Sequence, residues 1–242
     1  MKKLIIVLLP LVLADNLFAQ TTFSGGDLQF WGTVYLKYQL NLSHSFTFRA
    51  ETRGRDNLST LTHYSGELKY AFHPKKWYQL SAGFRYINKN FGEKEYKYFG
   101  DIHFFRSLGS FSFAYRQRVQ YEYTPTHEGS PASDDWQSRN KFWVKYDSLG
   151  KFTPYLAVEV RYQLGGNIRP ELHNKFHRAR WEAGVYYAIN CKHSVALFGL
   201  MQHEWNLPVE KQKVIYAIGL TYFYKIAWKL CEDEHVKFDA AE

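Results

Sequence analysis

Several features that would decide a function outright are missing from this sequence. After residue 20, no stretch reaches the 18 consecutive apolar residues that a membrane helix needs, so we expect no helical anchor in the mature chain. No Walker loop or dinucleotide fingerprint occurs. No linker rich in proline or serine, and no break in composition, suggests a second domain. The informative signals are therefore an export sequence, an abundance of aromatic residues and a periodic pattern.

The N-terminus predicts export. Lys2 and Lys3 form a short positive region, residues 4–14 are apolar, and residues 17–19 (Leu-Phe-Ala) form a weak cleavage site of small-residue type. We predict a signal peptide over residues 1–19 and a single mature domain over residues 20–242. Neither cysteine lies near the junction, which argues against a lipid-anchored N-terminus.

Many segments of the mature chain alternate strictly between apolar and polar residues. In 115–123 the odd positions are Tyr, Gln, Val, Tyr and Tyr, whereas the even positions are Arg, Arg, Gln and Glu. A period of two places these sets on opposite faces of a strand. Aromatic residues make up 19% of the chain, and tyrosine and tryptophan favour a membrane interface. The pattern is typical of an all-β protein, and we predict a transmembrane antiparallel up-and-down β-barrel with a polar charged lumen and an apolar aromatic exterior.

Eleven segments have this pattern: 28–41, 45–54, 60–72, 77–88, 95–106, 110–123, 138–147, 152–164, 175–190, 193–205 and 212–224. Tight connections such as 41–44 and 190–193 alternate with others, of which 123–137 and 164–174 are long. A closed barrel that is antiparallel throughout needs an even number of strands. We therefore predict about 12 strands, with 10 as the alternative. The missing strand would come from the tail after Lys225, with Ile226, Trp228 and Leu230 in alternation, or from the segment after the signal peptide.

Alternation alone does not say which face is inside, so a secreted soluble barrel or sandwich with an apolar core is the competing interpretation. A closed soluble barrel of this size would enclose more lumen than its side chains fill, which favours the polar-inside arrangement. The predicted lumen holds more basic than acidic residues: Arg49, Glu51, Arg53, Glu67, Lys69, Arg85, Lys97, Asp101, Arg116, Arg118, Glu122, Arg139, Lys141, Lys145, Glu159, Arg161, Arg178, Arg180, Glu182 and Glu204.

Charges crowded in this way should pair, because an unpaired desolvated charge is costly. One interpretation is a lumen braced and closed by ion pairs. The sharper one is a narrow anion-preferring pore or a binder of small acidic solutes, because fixed positive charge concentrates anions. The formal net charge of +8 also suits anionic solutes and lipopolysaccharide as partners. Nucleic acid binding is not implied, because no recognised motif surrounds the basic residues.

The search for catalytic or metal-binding groups gives only weak candidates. His63, Ser65 and Glu67 share one face of a strand, and a barrel-wall hydrolase of lipid or lipopolysaccharide could use such groups. Three ordinary polar residues are the simpler interpretation, so enzymatic activity stays open and its absence is favoured. His173 and His177 have a helical metal spacing in what we interpret as a loop, and we predict no metal and no cofactor.

The sequence has two cysteines, Cys191 and Cys231, and both lie outside the predicted strands. Cys191 lies in a predicted tight turn, and Cys231 lies seven residues after the last predicted strand. An oxidising periplasm would permit a disulfide between them if both lie at the periplasmic rim, whereas two unpaired thiols are the alternative.

Several segments resemble a known family, the outer-membrane β-barrels of domain-of-unknown-function family 2490 from Gram-negative bacteria of the Bacteroidetes group. The resemblance rests on Trp31, Arg53 and Arg55 and on the segments GFRYINK (83–89), RQRVQYEY (116–123), RNKFWVKY (139–146), YLAVEVRYQL (155–164) and RARWEAGVYYAIN (178–190). It implies a barrel in the outer membrane and supplies no activity. A non-catalytic structural or adaptor role therefore remains an alternative to the pore and the hydrolase, and the sequence does not fix the oligomeric state.

Overall fold

The structure is a computed structural model, and it describes residues 27–55, 60–89, 92–126, 131–167, 172, 174–206 and 213–227. The predicted signal peptide and Cys231 lie outside these residues. Eleven strands are present among them: β1 (Asp27–Gln39), β2 (His44–Arg55), β3 (Thr60–Lys75), β4 (Tyr78–Lys89), β5 (Glu93–Leu108), β6 (Phe111–Thr124), β7 (Ser133–Tyr146), β8 (Phe152–Gly166), β9 (Lys175–Ala188), β10 (His193–Glu204) and β11 (Lys213–Ala227).

The strands form one closed barrel in which each strand pairs with its neighbours in the sequence. All of these sequential pairs are antiparallel. The barrel closes where β1 pairs with β11 in parallel, from Asp27 opposite Ile215 to Gln39 opposite Ala227. Parallel closure is the way in which an odd number of up-and-down strands can form a continuous cylinder.

The prediction of about 12 strands, and the alternative of 10, were therefore wrong. The eleven predicted segments each correspond to a strand, and the error came from requiring every pair to be antiparallel. Ile226 lies in β11 itself rather than in a further strand, whereas Trp228 and Leu230 lie outside the described residues. The largest boundary error is in β7, which begins at Ser133 instead of residue 138.

The connections between strands differ at the two ends of the barrel. The tight turns 40–43, 76–77, 109–110, 147–151 and 189–192 all lie at one end of the barrel, which we call the turn end. Gly109 and Gly150 adopt positive φ of 59° and 65°, a conformation in which a side chain would be strained. The opposite end, where β1 and β11 begin, carries the remaining connections and is called the loop end.

Two of the tight turns share one sequence pattern, Asn-x-x-His-Ser. In each, the asparagine side chain accepts hydrogen bonds from the backbone N–H groups two and three residues ahead, at Asn41 and again at Asn190. In each, the histidine Nδ1 lies 2.5 Å from a tyrosine hydroxyl on the adjacent strand, pairing His44 with Tyr70 and His193 with Tyr222. Local turn chemistry thus fixes the register of β1 with β2 and of β9 with β10 in the same way.

The two faces of the wall are chemically opposite. Large apolar side chains such as Leu68 (54% exposed) and Leu197 (54% exposed) point outward, while charged residues such as Glu51 (3%) and Glu159 (4%) are buried inside. The arrangement is the inverse of a soluble barrel, where the apolar face would be buried. Among the residues described, no helix is long and apolar enough to span a bilayer.

Candidate functional site

The charged part of the lumen is organised around carboxylates that several arginines share. On β2, Glu51 accepts hydrogen bonds from Arg53 at 2.8 Å, from Arg85 of β4 at 2.6 Å, and from Arg49. The His63 Nε2 lies 3.6 Å from the same carboxylate. Because residues two apart in a strand share a face, Arg49, Glu51 and Arg53 necessarily point into the lumen together. The carboxylate neutralises one of three neighbouring guanidinium charges.

A second shared carboxylate, Glu159 on β8, has four arginine neighbours. Arg139 reaches both of its oxygens at 2.8 and 2.9 Å, Arg116 donates at 2.9 Å and Arg161 donates at 3.1 Å. The Nη1 of Arg180 lies 3.8 Å away. Forked, charge-assisted hydrogen bonds of this kind are the strong ones in proteins. Four positive charges nevertheless surround a single negative one.

The register of the strands aligns arginines in a line across the wall. Arg118 of β6 lies opposite Arg139 of β7, Arg139 lies opposite Arg161 of β8, and Arg161 lies opposite Arg178 of β9. We call these four residues the arginine row. Directly opposed like charges destabilise a sheet, so the row is an unfavourable arrangement in a barrel without further partners.

Carboxylates flank the arginine row at its two ends. Asp101 of β5 lies opposite Arg118 and accepts two hydrogen bonds from it, at 2.6 and 2.8 Å. Glu204 of β10 lies opposite Arg178 at 2.7 Å. The two middle arginines instead depend on Glu159 in the neighbouring line of side chains. Positive charge is therefore least compensated in the middle of the row.

Other predicted lumen residues also lie inside and form smaller groups. The Lys97 Nζ lies 2.5 Å from both Glu95 and Glu122, and Lys89 also pairs with Glu95. Glu182 accepts hydrogen bonds from the Tyr155 hydroxyl at 2.6 Å and from Lys141 at 3.2 Å. Three further predicted residues, Glu67, Lys69 and Lys145, are buried, with Glu67 3.8 Å from Arg85 and Lys145 over the Tyr186 ring.

Sequence reasoning missed two buried carboxylates and one lysine in this network, Glu95, Asp135 and Lys89. A usable signal was present, because Glu95 has the same parity as Lys97 and Asp101 within β5. Asp135 lay before the predicted start of β7 at residue 138 and was assigned to a loop. The longer observed β7 brings Asp135 into the lumen, whereas Glu95 already lay within the predicted strand 95–106.

The inner face of β10, β11 and β1 is different, because it is largely apolar. Trp31, Leu200 and Ala217 form one buried cluster with Phe198 against it, and Tyr35 stacks on Phe223 with ring centroids 5.0 Å apart. We call the inward apolar residues of this sector the apolar wall: Trp31, Tyr35, Ala196, Phe198, Leu200, Ile215, Ala217 and Phe223. The prediction of a charged lumen therefore describes only part of the barrel. The signal available was the lack of charge at inward positions of β11 between Ile215 and Phe223.

The Phe198 ring lies against β11, where Gly219 leaves room for it. A Cβ atom at Gly219 would lie 1.9 Å from the Phe198 Cζ, so no side chain fits there without moving the ring. The small residues of β11 thus allow bulky neighbours from both adjacent strands to cover it.

Arginine and aromatic side chains meet where the two sectors join. The Arg53 guanidinium lies 3.8 Å from the centre of the Trp31 ring, and the Arg180 guanidinium lies 5.3 Å from the same ring. Cations over indole faces are held by the ring quadrupole. Arg180 therefore belongs both to the group around Glu159 and to the edge of the apolar wall.

A cavity of about 340 Å³ lies between these surfaces. Among the described residues it is lined by twelve arginine or lysine side chains and six glutamates, a surplus of six positive charges. The same cavity is bordered by Trp31, Phe198, Leu200 and Ile215 of the apolar wall. Charged and apolar surfaces thus face a single space inside the barrel.

The three catalytic candidates do not form a relay in the structure. The Ser65 hydroxyl accepts hydrogen bonds from Arg85 at 2.8 and 3.2 Å, while the His63 ring nitrogen faces Glu51 instead of the serine. A serine nucleophile needs a base within hydrogen-bond reach to take its proton. The geometry of this strand supports a structural role for the three residues within the charged network.

Of the metal and disulfide candidates, His177 and Cys191 lie among the described residues. His177 is fully buried in β9, and His173 lies outside the described residues. Within the described ranges, no group of three or more histidine, cysteine, aspartate or glutamate side chains is placed to hold a metal ion. Cys191 in the β9–β10 turn is disulfide-bonded. Because Cys231 lies outside the described residues, its pairing with Cys191 stays a prediction.

Comparisons with known proteins agree with this architecture. A family model described as "Protein of unknown function (DUF2490)" matches residues 28–212. Among solved structures, the chain resembles one titled "NanC porin structure in rhombohedral crystal form", with a TM-score of 0.52 and 12% identity. The alignment covers 84% of this chain and 100% of that one. No curated protein matches the sequence. At such low identity, the likeness shows a porin-like barrel fold and nothing about the solute.

Proposed function

The chain belongs to the DUF2490 family of proteins of unknown function, and from that premise we propose that it is an outer-membrane barrel forming a narrow, anion-preferring pore. The observation that carries this proposal is the excess of basic over acidic side chains lining the cavity, twelve against six among the described residues, with Asp101 behind the lining as the partner of Arg118. Fixed charge of one sign in a confined space raises the local concentration of the opposite ion and repels ions of its own sign.

The distribution of charge supports anions more strongly than the net value alone. Four arginines share Glu159, and the arginine row places like charges directly opposite each other on adjacent strands. Such opposition is unfavourable unless a mobile counter-ion relieves it. An anion entering between Arg139 and Arg161 would supply the compensation that the protein's own carboxylates leave incomplete.

Location in the outer membrane is supported by the exterior and by the fold. Apolar and aromatic side chains cover the outward face, as required of strands that contact lipid. The porin-like fold of the similar structure is consistent with this setting. The partners we propose are outer-membrane lipid, including lipopolysaccharide, around the barrel and small anionic solutes within it.

The experiment is a measurement of reversal potential across a planar bilayer containing the folded protein under a potassium chloride gradient. We expect chloride to be preferred severalfold over potassium, and the preference to weaken at 1 M salt, where the Debye length is about 3 Å. Replacing both Arg139 and Arg161 by glutamine should lower the preference, while Glu159 keeps Arg116 and Arg180 as partners.

The matched control is Arg106→Gln, because Arg106 is an exposed arginine on the outward face of β5. We expect this variant to leave the reversal potential unchanged. A potassium preference, an unchanged chloride preference in the double variant, or persistent silence from verified, inserted barrels would each contradict the proposed pore.

A further inference from the structure

A second property, which rests on the proposed function, is the kind of anion that the lumen binds. We propose that the cavity is a binding site for a small organic anion that carries an apolar, ring-bearing part, with its carboxylate on the arginines around Glu159 and its ring on the apolar wall. The inference rests on two surfaces of opposite chemistry that line one cavity of about 340 Å³.

A lumen that only conducts inorganic ions does not require an apolar wall. Leu200 and Ile215 lie in the interior, 6% and 8% exposed, and both border the cavity beside Trp31. A chloride ion gains nothing from such a surface, because apolar groups offer no compensation for lost hydration. A ring placed on the wall would instead bury apolar area and stack on an aromatic neighbour.

The charged contribution comes from Arg116, which has an unused donor, and from Arg180, which donates its Nε to Gln202 and shares Glu159. Arg116 is 6% exposed, and its Nε has no hydrogen-bond partner, although its Nη2 donates to Glu159 at 2.9 Å. Arg180 shares Glu159 with three other arginines and lies over the Trp31 ring. Guanidinium groups bind carboxylates through two parallel hydrogen bonds, which is the geometry a ligand carboxylate would use here.

The two surfaces are close enough for one small molecule to touch both. Arg180 lies opposite Gln202, which is two residues from Leu200 on the same face of β10. The guanidinium of Arg180 is 5.3 Å from the centre of the ring of Trp31, which points into the lumen from β1. A carboxylate held at Arg180 would therefore place the rest of its molecule against Trp31 and Leu200.

The test is calorimetric titration of the detergent-folded, full mature chain with three probes: benzoate, acetate and benzyl alcohol. Benzoate has both features, acetate has only the charge, and benzyl alcohol has only the ring. We expect benzoate to bind at least tenfold more tightly than either of the others. Calorimetry does not depend on conduction, so the result is separate from the reversal potential.

Variants of the apolar wall then connect the preference to this site. Leu200→Asn should reduce the ratio of benzoate to acetate affinity at least fivefold, while Leu200→Met, which keeps an apolar side chain of similar size, should retain it. Ile215→Thr serves the same purpose if Leu200→Asn does not fold. The matched control is Leu197→Asn, the same substitution on the same strand at an outward position that does not border the cavity, which should keep the ratio within twofold.

Equal affinities for benzoate and acetate, or for benzoate and benzyl alcohol, would overturn the inference. So would an unchanged ratio in both Leu200→Asn and Ile215→Thr. Any of these results alongside a chloride preference in the bilayer would leave the anion-preferring pore standing. Tight benzoate binding without chloride preference would instead reject the pore and keep the binding site.

Discussion

The two sectors of the lumen are built from the same strand geometry and differ in their chemistry. From β6 to β9 the inward positions hold the arginine row and Glu159, with Trp143, Tyr155 and Tyr186 buried nearer the turn end, whereas from β10 through β11 to β1 they hold the apolar wall. The first sector gathers charge that its own carboxylates compensate incompletely. The second packs side chains tightly over the parallel seam, where Tyr35 of β1 stacks on Phe223 of β11.

The difference means that the parallel seam and the shared carboxylate lie in different parts of the wall. Parallel pairing is slightly less stable per residue than antiparallel pairing, so side-chain packing across the seam is the natural place for added stability. Charged residues in that position would bring desolvation costs without dependable gain. Substitutions in the two sectors should therefore affect different measurements.

The largest effect on stability is expected at Glu159. Glu159→Gln removes a buried carboxylate that four arginines share, which should lower the free energy of unfolding by roughly 3–5 kcal/mol, the usual cost of breaking a buried ion pair. Because one negative charge is lost, chloride preference should rise. Chemical denaturation of the detergent-folded barrel and the reversal potential measure the two effects.

Glu93→Gln is the control for this variant. Glu93 pairs with Lys89 at 3.4 Å, and its side chain is 39% exposed, so its loss should change stability by less than about 1 kcal/mol. A small effect of Glu159→Gln, similar to that of the control, would mean that the arginines find other compensation and that Glu159 does not organise the sector.

The next effect is expected in the apolar wall. Leu200→Ala removes buried apolar volume beside Trp31, and we expect a loss of about 2–3 kcal/mol, near the lower end for buried leucine because the site borders a cavity. Chloride preference should stay unchanged. Leu197→Ala on the same strand is the control, since Leu197 faces outward with 54% exposure and should cost less than about 1 kcal/mol. Equal losses would remove the distinction between wall and exterior.

The smallest effect is expected from a single methyl group on the seam strand. Gly219→Ala places a Cβ against the Phe198 ring, so the ring must move and stability should fall by roughly 1–3 kcal/mol. Gly199→Ala is matched to it, because nothing lies within 4 Å of the added Cβ, and this variant should be neutral or stabilise the strand by up to about 1 kcal/mol. Thermal unfolding followed by circular dichroism measures both, and reversed signs would contradict the packing described for β11.

Much of the fold could be predicted from the alternation of residues. Arg116, Arg118 and Glu122 were assigned to the lumen because they share parity in β6, and the structure places all three inside. The eleven segments and the alternation of tight turns with other connections were also confirmed. Asp135 was missed because the start of β7 lies among residues with loop-like composition, where periodicity fails as a signal.

Other features depended on information that a single strand does not contain. Which residue of β7 lies opposite Arg118 depends on the hydrogen-bond register across a connection of several residues, so the alignment of Arg118, Arg139, Arg161 and Arg178 could not be predicted. The sharing of Glu159 by arginines from four strands has the same origin.

The sequence by itself determined the strands and which residues of a strand share a face, because a period of two is a local property of an extended backbone. The tertiary structure decided the parallel pairing of β1 with β11, the arginine row, and the position of the apolar wall beside the charged cavity. These arise from contacts between residues far apart in the chain. Their geometry is set by closure of the whole barrel, since the register at each pair of strands must fit the register at every other pair.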